Sequence, residues 1–299
     1  MLSHLRSVSS GRALGTVALI TLGMFAQAQT PGKTNVPGQT LLSNGWKISP
    51  AGRQLEVGDL PLNLQISSSG KFAAVSNNGQ STQSVQLIDP RGEKLLDTRE
   101  LRKSWYGLTF THDEHHLYVA GGYDGFILDF HLTNNSLGNA DTIRLGKPTA
   151  KKPICPTGLA VDKNNTNLYA VAKSDSILYI INPANQTVAK KVQIPGIGYS
   201  CLLSPDEKCL YISLWEKAEV ARYDIATGKV TAVIATGDHP NELLLNKKAS
   251  YLFVANANDN TVSVIQTATG KVVETISTAL YPVKLAGSTT NGLALSADE

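Results

Sequence analysis

The chain has 299 residues, formal net charge +3, 42% hydrophobic and 17% charged residues, 25 Gly and 13 Pro. This is a folded, charge-poor, turn-rich composition rather than a disordered one. The near-neutral balance argues against a dedicated nucleic-acid binder, and three cysteines are too few for a disulfide scaffold.

The N-terminus reads as an export signal over residues 1–28. Arg6 and Arg12 supply a basic start, an apolar stretch runs over 13–26, and Ala26-Gln27-Ala28 gives a small-x-small cleavage pattern before Gln29. Removal would leave a chain of charge +1 in the periplasm or outside the cell. No other apolar run is long enough to span a bilayer. Residues 29–43 read as a linker.

From residue 44 onward the sequence repeats. Each unit is a short apolar strand, a polar residue, a turn and a Leu-Tyr-Val-Ala-like strand. The polar residues are Ser67, Thr111, Asp162, Ser204, Asn246 and Ser296, at intervals of 44, 51, 42, 42 and 50. A period of 40 to 50 residues built from short strands marks propeller blades. The strands are four- to six-residue runs of Val, Ile, Tyr and Leu divided by Gly, Asn, Asp and Pro, without helical periodicity.

The fifth unit defines the frame: strand A at 242–245, B at 251–255, C at 261–265 and D at 272–276. Its C–D turn is Thr269-Gly270-Lys271, echoed by Thr227-Gly228-Lys229 and Arg91-Gly92-Glu93. On the same frame, 46–48 and 54–57 flank Ala51-Gly52-Arg53 as strands C and D of an N-terminal half blade. The inner half of that blade would come from the other end of the chain. The sixth unit begins at Leu293-Ala294-Leu295-Ser296 and stops inside its A–B turn. The expectation is an all-β propeller of four-stranded blades, seven when complete, with a C-terminally truncated sequence.

The phrases Tyr251-Leu252-Phe253-Val254-Ala255-Asn256, Thr261-Val262-Ser263-Val264-Ile265 and Ala268-Thr269-Gly270-Lys271 resemble the YVTN-type propeller family, which contains the YncE-like periplasmic proteins. Asn44-Gly45-Trp46-Lys47-Ile48, Asn77-Asn78-Gly79-Gln80, Lys103-Ser104-Trp105-Tyr106 and Gly287-Ser288-Thr289-Thr290 resemble more closely the N-terminal propeller of bacterial two-domain proteins. There, a YncE-like propeller precedes an alkaline-phosphatase-superfamily phosphoesterase domain. The resemblance implies that any phosphoesterase activity lies in a domain outside this chain.

In a four-stranded blade the B–C and D–A connections share one face of the ring. Here they are long and varied, and both irregular intervals come from insertions on that face, at 146–157 and 278–291. The aromatics Trp105, Tyr106, Tyr123, Tyr199, Trp215 and Tyr281 fall there too. Loops on a rigid scaffold are where ligands bind. The candidate ligand residues are Asn63, Trp105, Tyr106, Tyr199, Trp215, His239, Asn241, Asn256 and Asn291. Packing between blades is the competing reading.

No catalytic residues, cofactor or metal ligands are assigned. Asp113-Glu114-His115-His116 suggests a metal site but occupies the A–B turn, where another unit carries Pro205-Asp206-Glu207-Lys208, so it reads as a solvated turn. No nucleophile elbow, phosphate loop, Cys-x-x-Cys or His-x-x-x-His pair occurs. Cys201 and Cys209 could pair across adjacent strands, or all three cysteines could be buried small hydrophobes. The functional expectation is a non-catalytic binding or interaction module taking a small molecule, peptide or partner domain. The alternative is a lactonase-like hydrolase acting at the channel mouth. Of the inner-strand residues weighed for that chemistry, only Glu242 is acidic.

Overall fold

The computed structural model describes residues 32–42, 44–49, 51–146, 153–279, 289–296 and 298–299. The export signal, Tyr281, and most of both insertions lie outside them. The chain divides into two compact units, one ending at Gln54 and one spanning Leu55–Glu299.

The described part of the first unit is a three-stranded antiparallel sheet of β1 (Gly32–Lys33), β2 (Thr40–Leu41) and β3 (Lys47–Ile48). Here the structure corrects the expected half blade. Lys47–Ile48 is a strand, but it pairs with Thr40–Leu41, and no strand forms over 51–60. Leu55 and Val57, already part of the second unit, pack there against Ala73, Val75 and Ile88. Their alternating apolar side chains are satisfied by burial on a ready-made blade, so ladder pairing is not needed to hold them.

The second unit is a β-propeller of five four-stranded antiparallel blades in a ring, each strand bonded to the next in chain order. Blade one is β4 (Pro61–Ile66), β5 (Ala73–Asn77), β6 (Ser84–Asp89) and β7 (Lys94–Glu100). Blade two is β8 (Leu108–Phe110), β9 (His116–Ala120), β10 (Phe126–Thr133) and β11 (Ser136–Arg144). Blade three is β12 (Pro156–Val161), β13 (Leu168–Ala172), β14 (Ile177–Asn182) and β15 (Thr187–Gln193). Blade four is β16 (Gly198–Leu203), β17 (Cys209–Leu214), β18 (Glu219–Asp224) and β19 (Lys229–Ala235). Blade five is β20 (Pro240–Leu245), β21 (Tyr251–Asn256), β22 (Thr261–Gln266) and β23 (Lys271–Ser277).

The first strands of the blades line the axis, with neighbours in the order β4, β8, β12, β16, β20. The core lies between blades. Leu87, Leu108, Leu117 and Leu137 fill the first interface. Tyr118, Ile127, Leu168 and Ile181 fill the second, and Tyr169, Leu178, Leu210 and Tyr223 the third. A blade exposes two apolar faces and can bury them only against its neighbours, which is why the repeats stack.

A polar clasp between successive A–B turns recurs at three places. The Glu114 carboxylate accepts from the Ser69 N–H at 2.6 Å and from the Ser68 hydroxyl at 3.1 Å. Glu207 accepts in the same way from the Lys163 N–H at 2.6 Å, and Glu299 from the Lys247 N–H. All three glutamates have positive φ, 59°, 57° and 63°. The Asp-Glu turns are therefore joints between blades. Residues 289–296 run beside blade five, where the Leu293 N–H donates to Glu242 Oε2 at 2.8 Å. That is the place of the next repeat's first strand.

The cysteines are all buried and free. Cys201 faces Ile212 across the β16–β17 ladder and Cys209 faces Asp224 across β17–β18, so the two are not cross-strand partners.

Candidate functional site

Antiparallel order places the β8 and β16 starts, the β17–β18 connection and the approach to β20 on one face. Four aromatic rings meet there in a row. Tyr106 and Tyr199 have ring centroids 5.1 Å apart, Tyr199 stacks on Trp215 at 6.3 Å, and Trp215 meets His239 edge-on at 4.3 Å. Tyr106, Thr157 and Tyr199 each lie five residues before their polar repeat residue. Blade three carries the small threonine at this place. That leaves space for tyrosines of blades two and four to touch across it. The Thr157 hydroxyl is tied down, donating to the Gly198 carbonyl at 3.1 Å.

His239 holds the outer end of the row in a left-handed conformation, φ 55°, a region where histidine is enriched among non-glycine residues. Its Nδ1 lies 2.7 Å from Asp238 Oδ1 and 2.8 Å from Asn258 Nδ2. The inner end opens on a cavity of about 190 Å³ on the axis, lined by Asn63, Gln65, Tyr106, Thr109, Ser200 and Glu242 among others. Asn63 Nδ2 donates to the Tyr106 carbonyl at 2.7 Å. Burial pushes the Tyr106 phenol up, reinforced by Glu242 and Tyr199 and opposed by a hydrogen bond with Ser200. Burial also raises the Glu242 carboxyl above the ordinary glutamate range, partly offset by the Leu293 N–H. The cavity thus holds one carboxylate biased toward its protonated form, one phenol and the hydroxyls of Thr109 and Ser200.

The candidates of the sequence sort into three groups. Asn63, Tyr106, Tyr199, Trp215 and His239 lie along the row and the cavity. Trp105 belongs to a neighbouring cluster, where Lys173 Nζ sits 4.2 Å from its ring centroid and 5.5 Å from that of Tyr123. Its indole Nε1 is buried without a partner among the described residues. Asn241, Asn256 and Asn291 are struts. Asn241 donates to Asn291 Oδ1, and its carbonyl accepts from Ser213 at 2.9 Å. Buried Asn256 donates to Thr261 and Ser263, each at 2.9 Å.

Glu242 and Ser200 line the cavity although the sequence did not single them out as ligand residues. Both lie four residues before the polar repeat residue, where blades two and three carry Gly107 and Gly158, and that register was the available signal. The Asp113-Glu114-His115-His116 turn is split by the structure. His115 stays on the exposed turn beside Asp113, whereas His116 opens β9.

Fold and site define a β-propeller with an aromatic-edged axial cavity. Residues 199–285, which contain three of the four row residues and both Ser200 and Glu242, match the family described as "Lactonase, 7-bladed beta-propeller". No curated protein matches the chain. Similar solved structures include Kuenenia stuttgartiensis hydrazine synthase, at 18% identity over 74% of this chain and 67% of that one, TM-score 0.59. A Lactobacillus plantarum protein shares 15% identity over 80% and 77%, TM-score 0.65. A functionally unknown protein of Desulfotomaculum acetoxidans DSM 771 shares 14% over 78% and 73%, TM-score 0.60. At these identities the likeness is one of fold.

Proposed function

We propose that this propeller is a recognition module that binds a small, flat, polyhydroxylated ring, such as a sugar or sugar lactone, on its loop-rich face. The observation that carries this reading is the row Tyr106–Tyr199–Trp215–His239 leading to a cavity edged by Asn63, Ser200 and Glu242. Aromatic faces take the apolar faces of such a ring, and a few convergent polar groups take its hydroxyls. Trp215 is 37% exposed, so its fluorescence reports occupancy. Titration with a panel of sugars and sugar lactones should shift that emission, and Trp215→Ala should abolish binding without unfolding the chain. A panel that leaves both emission and melting temperature unmoved overturns the proposal.

A second reading uses the same site. The match over 199–285 and the raised Glu242 carboxyl favour lactone hydrolysis, in which ionised Glu242 takes a proton from the water attacking the ring carbonyl. The ring C–O bond breaks, and the proton goes to the leaving alkoxide, giving the hydroxy acid. Glu242→Gln should then retain ring binding and lose turnover. Binding without turnover in the native chain leaves the recognition role.

Export completes the proposal, supported by Arg6, Arg12 and Ala26-Gln27-Ala28. The YncE-like subfamily, seven blades when complete and a downstream phosphoesterase domain rest on the quoted sequence motifs.

A further inference from the structure

We propose that blade two carries a divalent metal site formed by His116, Asp129 and His131, binding a zinc-type first-row cation. His116 and His131 face each other across the β9–β10 ladder, and Asp129 stands opposite both Tyr118 and Asp141. Residues opposed in this way share a face of the sheet. The three donor atoms lie within 4.8 Å of one another. Asp129 is 3% exposed, with Oδ1 2.8 Å from His116 Nδ1. The two imidazoles meet edge to face at 4.8 Å.

The repeat supplies its own comparison. The place of Asp129 is taken by Leu87 in blade one, Ile180 in blade three and Val264 in blade five, each opposite the residue equivalent to Tyr118. The place of His131 is taken by Asp89, Asn182 and Asp224, whose side chains accept from turn N–H groups two or three residues on. The place of His116 is taken by Phe72, Asn167, Cys209 and Tyr251. No other blade has a histidine at any of these places or an aspartate at the place of Asp129, yet blade two has all three on one face.

Imidazole and carboxylate are the donors a zinc-type cation prefers, at about 2.0–2.2 Å. Tetrahedral coordination needs the donors to close to about 3.3 Å, which rotation of the two partly exposed imidazoles supplies. Asp141 Oδ2 lies 3.1 Å from His131 Nε2 and so bears on how that ring is oriented toward the cation. Three protein ligands at a solvent-facing site leave a fourth position for water.

The test is calorimetric titration of the full chain with Zn²⁺, with Co²⁺ and its visible spectrum as a second probe of coordination. The wild-type chain should take up one equivalent and melt higher. His131→Gln alters a side chain that is 47% exposed and should fold normally by far-UV circular dichroism while losing uptake. His116→Gln should lose it as well. Asp141→Asn should weaken binding about tenfold, because it loosens the bond that orients the His131 ring. His115→Gln, on the neighbouring turn, should bind as the wild type does. The proposal is overturned if the wild-type chain takes up no metal at micromolar Zn²⁺, or if His131→Gln and His116→Gln bind as it does.

Discussion

Gly158→Ala tests how closely the inner strands approach. Gly158 lies on β12, against β16 of the next blade. A Cβ there would stand 2.6 Å from Ser200 Cα and 2.7 Å from both Ser200 C and Cys201 N. Carbon contacts settle at about 3.5–4.0 Å, so the two strands would have to part by roughly 1 Å. All three obstructing atoms are backbone and cannot rotate away. Overpacking of this kind costs about 1–3 kcal/mol, and the rigid obstacle places this case near 3 kcal/mol. For a chain of this size, ~3 kcal/mol lowers the melting temperature by about 6–12 °C. Gly292 provides a matched control, because it holds the same place in the repeat and, among the described residues, its Cβ would meet nothing nearer than Glu242 Oε2 at 3.9 Å. Gly292→Ala should stay within ~0.5 kcal/mol of wild type. Thermal melts followed by near-UV circular dichroism compare the two. Equal melting temperatures for both variants would refute the close approach and, with it, the ring geometry that builds the axial cavity.

Asp97 joins the outer strands of blades one and two, accepting from the Ser136 hydroxyl and from the Leu137 N–H at 2.9 Å. Burial alone would raise its carboxyl, but the bonds from Ser136, Leu137 and Thr98 outweigh it and hold it below the ordinary range. Its stabilisation is therefore complete above the unfolded value and fades as pH falls below about 4. Asp97→Ala should cost on the order of 2 kcal/mol at pH 7 and flatten the acid limb of a stability–pH profile; an unchanged acid limb would discount the clasp. The three thiols should resist alkylation in the folded chain and react fully in denaturant. Cys155 is buried, and that burial pushes its thiol up to about 11. Native labelling, or a Cys201–Cys209 disulfide found by mass spectrometry, would contradict this burial.

The blades were legible because each repeat states its strands in period-two apolar words and its turns in Gly, Asn and Asp. The fifth blade's observed strands differ from the sequence frame by no more than two residues at any end. The shared face of the aromatic connections followed from strand parity. Which rings touch did not. Trp105 and Tyr106 are neighbours in sequence, yet the chain bends at Tyr106 before β8 begins, and the two join different clusters. The Tyr106–Tyr199 contact depends on Thr157 being small, a fact about a blade that contributes no aromatic. The asparagines looked like ligand residues because a polar side chain beside the axis is equally suited to a ligand or to the next blade. Only the partners at 291, 261 and 263 reveal struts. At the N-terminus Gly52 does take positive φ (+81°), but no strand follows it to make the expected C–D hairpin, and Lys47–Ile48 pairs with Thr40–Leu41 instead.

A repeat fold also carries its own internal reference. Where five blades share a place and most fill it with apolar residues, stability accounts for those residues and not for the exceptions. Opposite the Tyr118 place, the exceptions are Asp129 in blade two and Arg222 in blade four. Arg222 stands across from Tyr211, and its Nε is buried with no hydrogen-bond partner. The other three blades fill this place with aliphatic residues, so neither Asp129, buried against His116, nor the part-buried Arg222 is demanded by the fold. The same comparison separates the axial residues. Gly107 and Gly158 are set by strand approach at their place, whereas Ser200 and Glu242 at the same place present polar atoms to the cavity. The Ser200 hydroxyl and the free Glu242 oxygen, gathered at one end of an aromatic row, are the physical argument for the ligand proposed on this face.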